Sequence, residues 1–230
     1  MWAGDVTINI LPDDVLLLIF HFCRLADLGQ LVRRVDRLRP SWRWNQLVHV
    51  CQRWQSVVFA SPNFLDLKIL CRPWSLVELT GIWTSLPIVI TNSNAPGPTV
   101  YPKDYGLNYV SVHRNRICEI DLGLKGHQLQ QLVSVMQEQF PALIHLKLGC
   151  CLSCHSATAL SDGFLGGSAP RLQTLKLYFI PFPALPTLLL SATDLVDLIL
   201  EGIPQSGYIP PEAIVTGLAM SASQSDNSQN

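Results

Sequence analysis

Cys150, Cys151, Cys154 and His155 bring three thiols and an imidazole into a six-residue stretch, and these are the ligand types that zinc prefers. A structural zinc site needs a second ligand pair at a supportive spacing, and none occurs further along the chain. The cluster therefore reads as structural thiols, with no metal and no cofactor expected. Gly163, Gly166 and Gly167 fit neither the G-x-x-x-x-G-K-[ST] phosphate loop nor the strand–G-x-G-x-x-G–helix arrangement. No G-x-S-x-G elbow and no H-E-x-x-H pair occurs. Asp13 and Asp14 are adjacent, and adjacent helical residues do not face each other, so they read as a helix-start pair and not as an acid/base dyad. His21 and His49 fall in apolar helical stretches, where a satisfied or partly exposed imidazole is the plain reading. No catalytic residue is assigned, and the chain is not expected to be an enzyme.

Arg33, Arg34, Arg37 and Arg39 could contact phosphates, but they have no companion aromatic platform and no matching basic surface. They read as a solvated helix face or loop. Net charge is -1, which does not suit coating nucleic acid or an anionic membrane. Hydrophobic residues make up 48% and charged residues 14%, enough apolar surface for a folded core. The longest conspicuous apolar run, Val15 to Phe20, is far short of the roughly 18 residues of a membrane span. A start containing Asp5, Asp13 and Asp14 without a basic n-region does not read as a signal peptide. Seven unevenly spread cysteines favour reduced thiols, and hence the cytoplasm or nucleus.

The elements that would position binding residues are clearer than any catalytic set. Leu11 to Cys23 predicts a helix. Pro12 suits its first turn, and Asp13 and Asp14 complement its positive end. Val15, Leu18, Ile19 and Phe22 form an apolar stripe at i, i+3, i+4 and i+7. Leu16, Leu17 and Phe20 lie off that stripe and are apolar too, so the helix needs cover on more than one side. In so small a domain a partner can supply the second cover. A second helix is expected over 44–59, with Leu47, Val50, Cys51, Trp54 and Val58 at helical spacing and turn chemistry at Ser61-Pro62-Asn63. Strands are expected at Phe64 to Leu70 and Leu86 to Ile90, then an exposed loop from Asn92 to Pro102.

The C-terminal half contains an internal repeat. L-x-x-L-x-L occurs at 117–122, 143–148, 172–177 and 195–200, with steps of 26, 29 and 23 residues. These steps fall in or near the leucine-rich-repeat range of about 20–29 residues. Leu129, Leu132, Val133, Met136 and Phe140 supply a helical stripe between the first two copies. The expected fold is α/β: a small helical module at 8–66, transition strands and loop at 67–116, and an irregular leucine-rich-repeat solenoid with a parallel sheet at 117–220. Cys151, ninth in its copy, falls where such repeats use Asn or Cys at the turn. Because strand side chains alternate faces, Glu119, Asp121, His145, Lys147, Thr174, Lys176, Asp197 and Ile199 are expected in adjacent rows on the concave sheet. That broad, mixed-charge surface suits a protein target better than a small substrate. Another copy is due near residue 220, but the Ser/Gln/Asn run at 221–230 has no large apolar residue. A disordered tail, no strand after Leu218 and a shortened array whose last repeat is its least stable part or is covered by a partner are expected.

Leu11-Pro12, Asp14, Ile19 and then Val50-Cys51 with Trp54 give residues 8–66 a resemblance to the F-box, the helical module that binds the Skp adaptor of SCF-type ubiquitin ligases. The stretch SPNFLDLKI is similar to the segment just after the box in fungal F-box proteins, which often carry leucine-rich repeats. The chain departs from the usual box at Cys23, where Leu is usual, and in its longer interval from Cys23 to Val50. The resemblance implies that Leu11, Pro12, Val15, Ile19, Val50 and Trp54 are shared between the box's own core and the adaptor contact. It implies a substrate receptor of a cullin ligase whose repeats hold an unidentified protein target. The alternative is a leucine-rich interaction protein with no ligase partner.

Overall fold

The computed structural model describes residues 10–31, 47–62, 64–71, 86–92, 108–150 and 159–216. The chain divides into two compact units, Met1–Lys68 and Ile69–Asn230.

The first unit is helical. Helix α1 spans Asp13–Leu31, with Asp13 and Asp14 in its first turn, and runs past the apolar stretch that predicted it. Leu16 N–H closes the first turn on Pro12 C=O at 3.0 Å. Helix α2 spans Gln52–Ala60 and buries Val57 and Val58. The single helix expected over 44–59 is broken. Residues 47–48 are helical, a turn comes next, and Cys51 is extended at φ -161°, ψ 167°. Cys51 then acts as the helix cap: its C=O accepts from Gln55 N–H at 3.0 Å and opens a new hydrogen-bond ladder. The spacing of apolar residues does not register such a break, because it is blind to one residue's backbone angles.

Arg53 fastens α2 to the start of α1. Its guanidinium donates to Asp13 Oδ1 from Nε at 3.0 Å and from Nη2 at 2.6 Å, and Nη2 also donates to Leu11 C=O. Asp13 thus has a tertiary partner as well as its favourable place at the helix start. Of the strand expected over 64–70 only Ile69 and Leu70 are extended in the sheet, and residues 64–66 form a turn. Leu65 and Leu67 are buried, and their N–H groups donate back to Ser61 and Pro62 C=O. Asp66 has φ 44°, a left-handed conformation that no strand interior accommodates.

The second unit is mixed α/β. Strands β1 (Ile69–Cys71), β2 (Ile88–Thr91), β3 (Ile117–Leu124), β4 (His145–Cys150), β5 (Thr174–Tyr178) and β6 (Asp197–Glu201) form one sheet. Their order is sequential and every pairing is parallel. All four repeat copies therefore contribute parallel strands, and two earlier strands extend the same sheet. Helices α3 (Asn108–Val112), α4 (Gly126–Val135) and α5 (Leu185–Leu189) lie along the chain between strands. The α4 stripe is buried as its spacing predicts: Leu129, Leu132 and Val133, then Met136 and Phe140 beyond the helix end. Gln128, itself buried, accepts the Lys125 N–H through Oε1 at 2.9 Å and closes the N-terminus.

The first leucine of each later copy makes the same local turn. Leu143 N–H donates to Phe140 C=O, Leu172 to Ala169 and Leu195 to Ala192, at 3.1, 3.1 and 3.2 Å. The next residue then donates to the preceding strand segment: Ile144 to Cys118, Gln173 to Ile144 and Val196 to Gln173, each at 2.8 Å. One sequence pattern thus gives one hydrogen-bond pattern three times. Gly166 is needed for its backbone angle and close packing. It has φ +65°, and a Cβ there would sit 2.9 Å from Gln139 N.

Asn92 overturns its expected place in an exposed loop. It is buried, and its side chain continues β2 as a strand would. Nδ2 donates to Gly123 C=O and Oδ1 accepts from Gly123 N–H, both at 2.8 Å. Asn92→Ala removes both bonds from a buried site, and the expected loss is about 1–2 kcal/mol. The shift in the urea midpoint measures it.

Cys71 ends β1 fully buried, and burial pushes its thiol up from 9.0 to about 11, with Arg116 acting in the opposite direction. Above pH 9 the unfolded thiol releases its proton while the native one keeps it. This thiol's contribution to stability is complete below pH 9 and is lost as pH rises towards 11. Iodoacetamide at mildly alkaline pH is expected to label the exposed Cys23 and Cys51 and to spare Cys71. Equal labelling rates at the three sites would contradict a closed β1.

Candidate protein-docking surfaces

In the helical unit, α1 turns Leu16 and Phe20 inward at 0% and 1% exposure. Phe20 meets Trp54 of α2 with ring centroids 4.8 Å apart. These inward residues are the ones that lie off the Val15–Leu18–Ile19–Phe22 stripe. The stripe itself looks outward: Leu18 is 49% and Phe22 66% exposed, and Val15 and Ile19 are half-buried. Leu11 and Trp54 are half-buried, Pro12 is exposed and Val50 is 57% exposed. Of the six residues expected at the adaptor contact, Trp54 packs on the buried Phe20 of the unit's own core, and the other five are half-buried or exposed. Leu18 and Phe22 were visible in the sequence as part of the stripe, but periodicity alone could not say which of two apolar faces α2 covers.

His21 lies 5.0 Å from Phe64, ring to ring. Its Nδ1 and the Trp54 Nε1 are buried with no hydrogen-bond partner among the described residues. His21 as a whole is half-buried, as its partly exposed reading expects, although its Nδ1 meets no acceptor among the described residues. The cost of two unpaired buried nitrogens makes this cluster the helical unit's weakest polar accounting.

In the second unit, alternation along the sheet leaves one face partly exposed. Glu119, His145, Thr174 and Asp197 form one row across it, and Asp121, Lys147, Lys176 and Ile199 form the next. All eight are half-buried, on the face opposite the leucines. The charges are largely matched within the sheet. Lys147 Nζ stands 3.2 Å from Asp121, and Lys176 Nζ 2.6 Å from Asp197. The hydrogen bond that Lys176 donates to Asp197 raises the Lys176 pKa. A third row, Gly123, Gly149, Tyr178 and Glu201, extends the face. Strand alternation over the repeat copies alone did not single it out. Its signal was the glycine shared by DLGL and KLGC, two residues after the matched Asp121 and Lys147.

Of the cysteine and histidine cluster, only Cys150 is described, buried at the end of β4. Positions 151–158, with the expected Cys151 turn, lie outside the described residues, as do the arginine cluster, the tail at 221–230 and any strand after Leu218. Among the described residues no group of three His, Cys, Asp or Glu side chains could hold a metal, and no helix is long and apolar enough to cross a membrane. Compared with known proteins, the chain matches no family model, no curated protein and no solved structure.

Proposed function

We propose that this chain is a protein-binding adaptor, the substrate receptor of an SCF-type ubiquitin ligase, and that it has no catalytic role of its own. In this reading the helical unit is an F-box that docks on a Skp-family adaptor, and the second unit is an irregular leucine-rich-repeat solenoid that holds a protein target. The observation that carries the reading is the outward stripe of Val15, Leu18, Ile19 and Phe22 on a helix whose other apolar side, Leu16 and Phe20, already meets its own core. Exposing large apolar side chains at helical spacing is costly for a monomer and natural for a helix that a partner covers. The repeated turn before β4, β5 and β6 supports the solenoid part, and the broad rows of half-buried polar residues support a macromolecular target. Ligase chemistry would come from other subunits, and this chain would contribute proximity. The cytoplasm or nucleus would be its place.

The test is direct mixing of the purified full chain with a Skp-family adaptor, followed by size-exclusion chromatography and calorimetry. A one-to-one complex is expected. Absence of a complex at tens of micromolar would overturn the ligase reading and leave the alternative, an interaction protein that uses the sheet face alone.

A further inference from the structure

We propose that the outer edge of β6, unpaired among the described residues, and the apolar cavity beside it form a second docking site, for an extended segment of a partner protein with two basic side chains flanking a Leu-x-Leu core. The inference does not depend on what the helical unit binds.

Strand β6 ends the sheet order and pairs only with β5 among the described residues. An unpaired strand edge offers a row of backbone donors and acceptors to an added strand. The side chains of β6 are unfinished in the same place. Leu198 and Leu200 stand in register with Leu175 and Leu177, which are 0% exposed. Leu198 and Leu200 are themselves only half-buried, and Val196 just before them is 86% exposed. Next to them opens a cavity of about 210 Å³ lined by Leu177, Leu185, Leu200, Ile203, Tyr208 and Ile214. That volume holds one or two large aliphatic side chains, and nearly every lining group is apolar.

Charge selects the occupant. Across the sheet face, lysine on one strand meets an acid on a neighbouring strand: Lys147 with Asp121, and Lys176 with Asp197. At the edge this alternation stops on acids. Asp197 and Glu201 lie on one face of β6 with Ile199 between them, and Glu201 has Tyr178 as its register partner. Glu201 makes no ion pair among the described residues. A strand laid against β6 therefore gains most from a basic residue opposite Glu201, while a second one opposite 197 shares the Asp197 carboxylate with Lys176; a β-branched residue fits opposite Ile199, and leucines fit opposite 198 and 200. A second copy of this chain is the wrong occupant. Two-fold antiparallel pairing centred on Ile199 sets Asp197 against Glu201 of the other copy, and parallel in-register pairing sets Asp197 against Asp197.

The probe is a labelled peptide, acetyl-Gly-Lys-Leu-Thr-Leu-Lys-Gly-amide, whose core reads the same in both directions and so tests either strand orientation. Its control replaces both lysines by glutamate. With the full-length protein at low salt, the lysine peptide is expected to bind at least about tenfold more tightly than the control, and to slow amide exchange at Asp197–Glu201. Glu201→Lys, an exposed position, is expected to erase that preference without changing the fold. Four results would each overturn the proposal: no binding at millimolar peptide, equal binding of both peptides, a preference that survives Glu201→Lys, or protection that appears elsewhere. Concentration-dependent dimerisation that protects 197–201 would also overturn it, in favour of self-association. None of these results bears on the adaptor complex of the helical unit, which is measured separately.

Discussion

Phe22→Asp is expected to abolish binding to a Skp-family adaptor while the helical unit stays folded. Phe22 is 66% exposed, so a carboxylate there is hydrated in the free protein and costs the fold little. In the complex the same carboxylate would be buried without a partner, at a cost of several kcal/mol. That corresponds to a loss on the order of a hundredfold or more in affinity. Ile19→Asp and Leu11→Asp act at half-buried positions and are expected to weaken binding with some loss of stability. Leu16→Asp is the contrast. Leu16 is fully buried, so its variant is expected to unfold the unit outright. Circular dichroism separates the two classes, and calorimetry reads the affinity. A folded Phe22→Asp protein that binds as well as the parent would sink the docking surface.

The second large effect lies inside the sheet. Leu146→Ala is expected to cost about 3–4 kcal/mol, because the side chain is 0% exposed and strands lie on both sides of it. Leu198→Ala, two strands further along the same inward row, is expected to cost about 1 kcal/mol or less, since Leu198 is only half-buried. Hydrogen exchange should show the same gradient, with slow amides at His145–Cys150 and faster ones at Asp197–Glu201. Equal costs at the two leucines, or equal protection of the two strands, would mean that β6 is covered in solution.

Much of the second unit was legible in the sequence because strand alternation has a period of two. Once one face is buried, Leu146 and Leu148 admit a single placement, and Lys147 must point the other way. The turn before each strand repeats because its leucine repeats. The α4 stripe, likewise, had one apolar face to bury and buried it.

The helical unit was less legible, since α1 is apolar on more than one side over Val15 to Phe22. A helical wheel identifies two candidate faces in that case, and only the position of Trp54 opposite Phe20 decides that Leu16 and Phe20 go in and Phe22 stays out. Arg53 reaching Leu11 and Asp13, and the pairing of Lys147 with Asp121, depend on contacts between residues far apart in the chain. Asn92 is the clearest example. Locally it is a polar residue at the head of a proline-rich loop, and such residues are ordinarily solvated. Its burial becomes favourable only because Gly123 on the neighbouring strand offers an N–H and a C=O at the right spacing. The sequence by itself determined which residues recur, and hence the strands, their faces and the rows of candidate binding residues. The tertiary structure decided which apolar side of α1 stays exposed, which charges on the sheet are already matched and where the sheet ends among the described residues. Those outcomes depend on distances between segments, and a periodic pattern carries no record of distance.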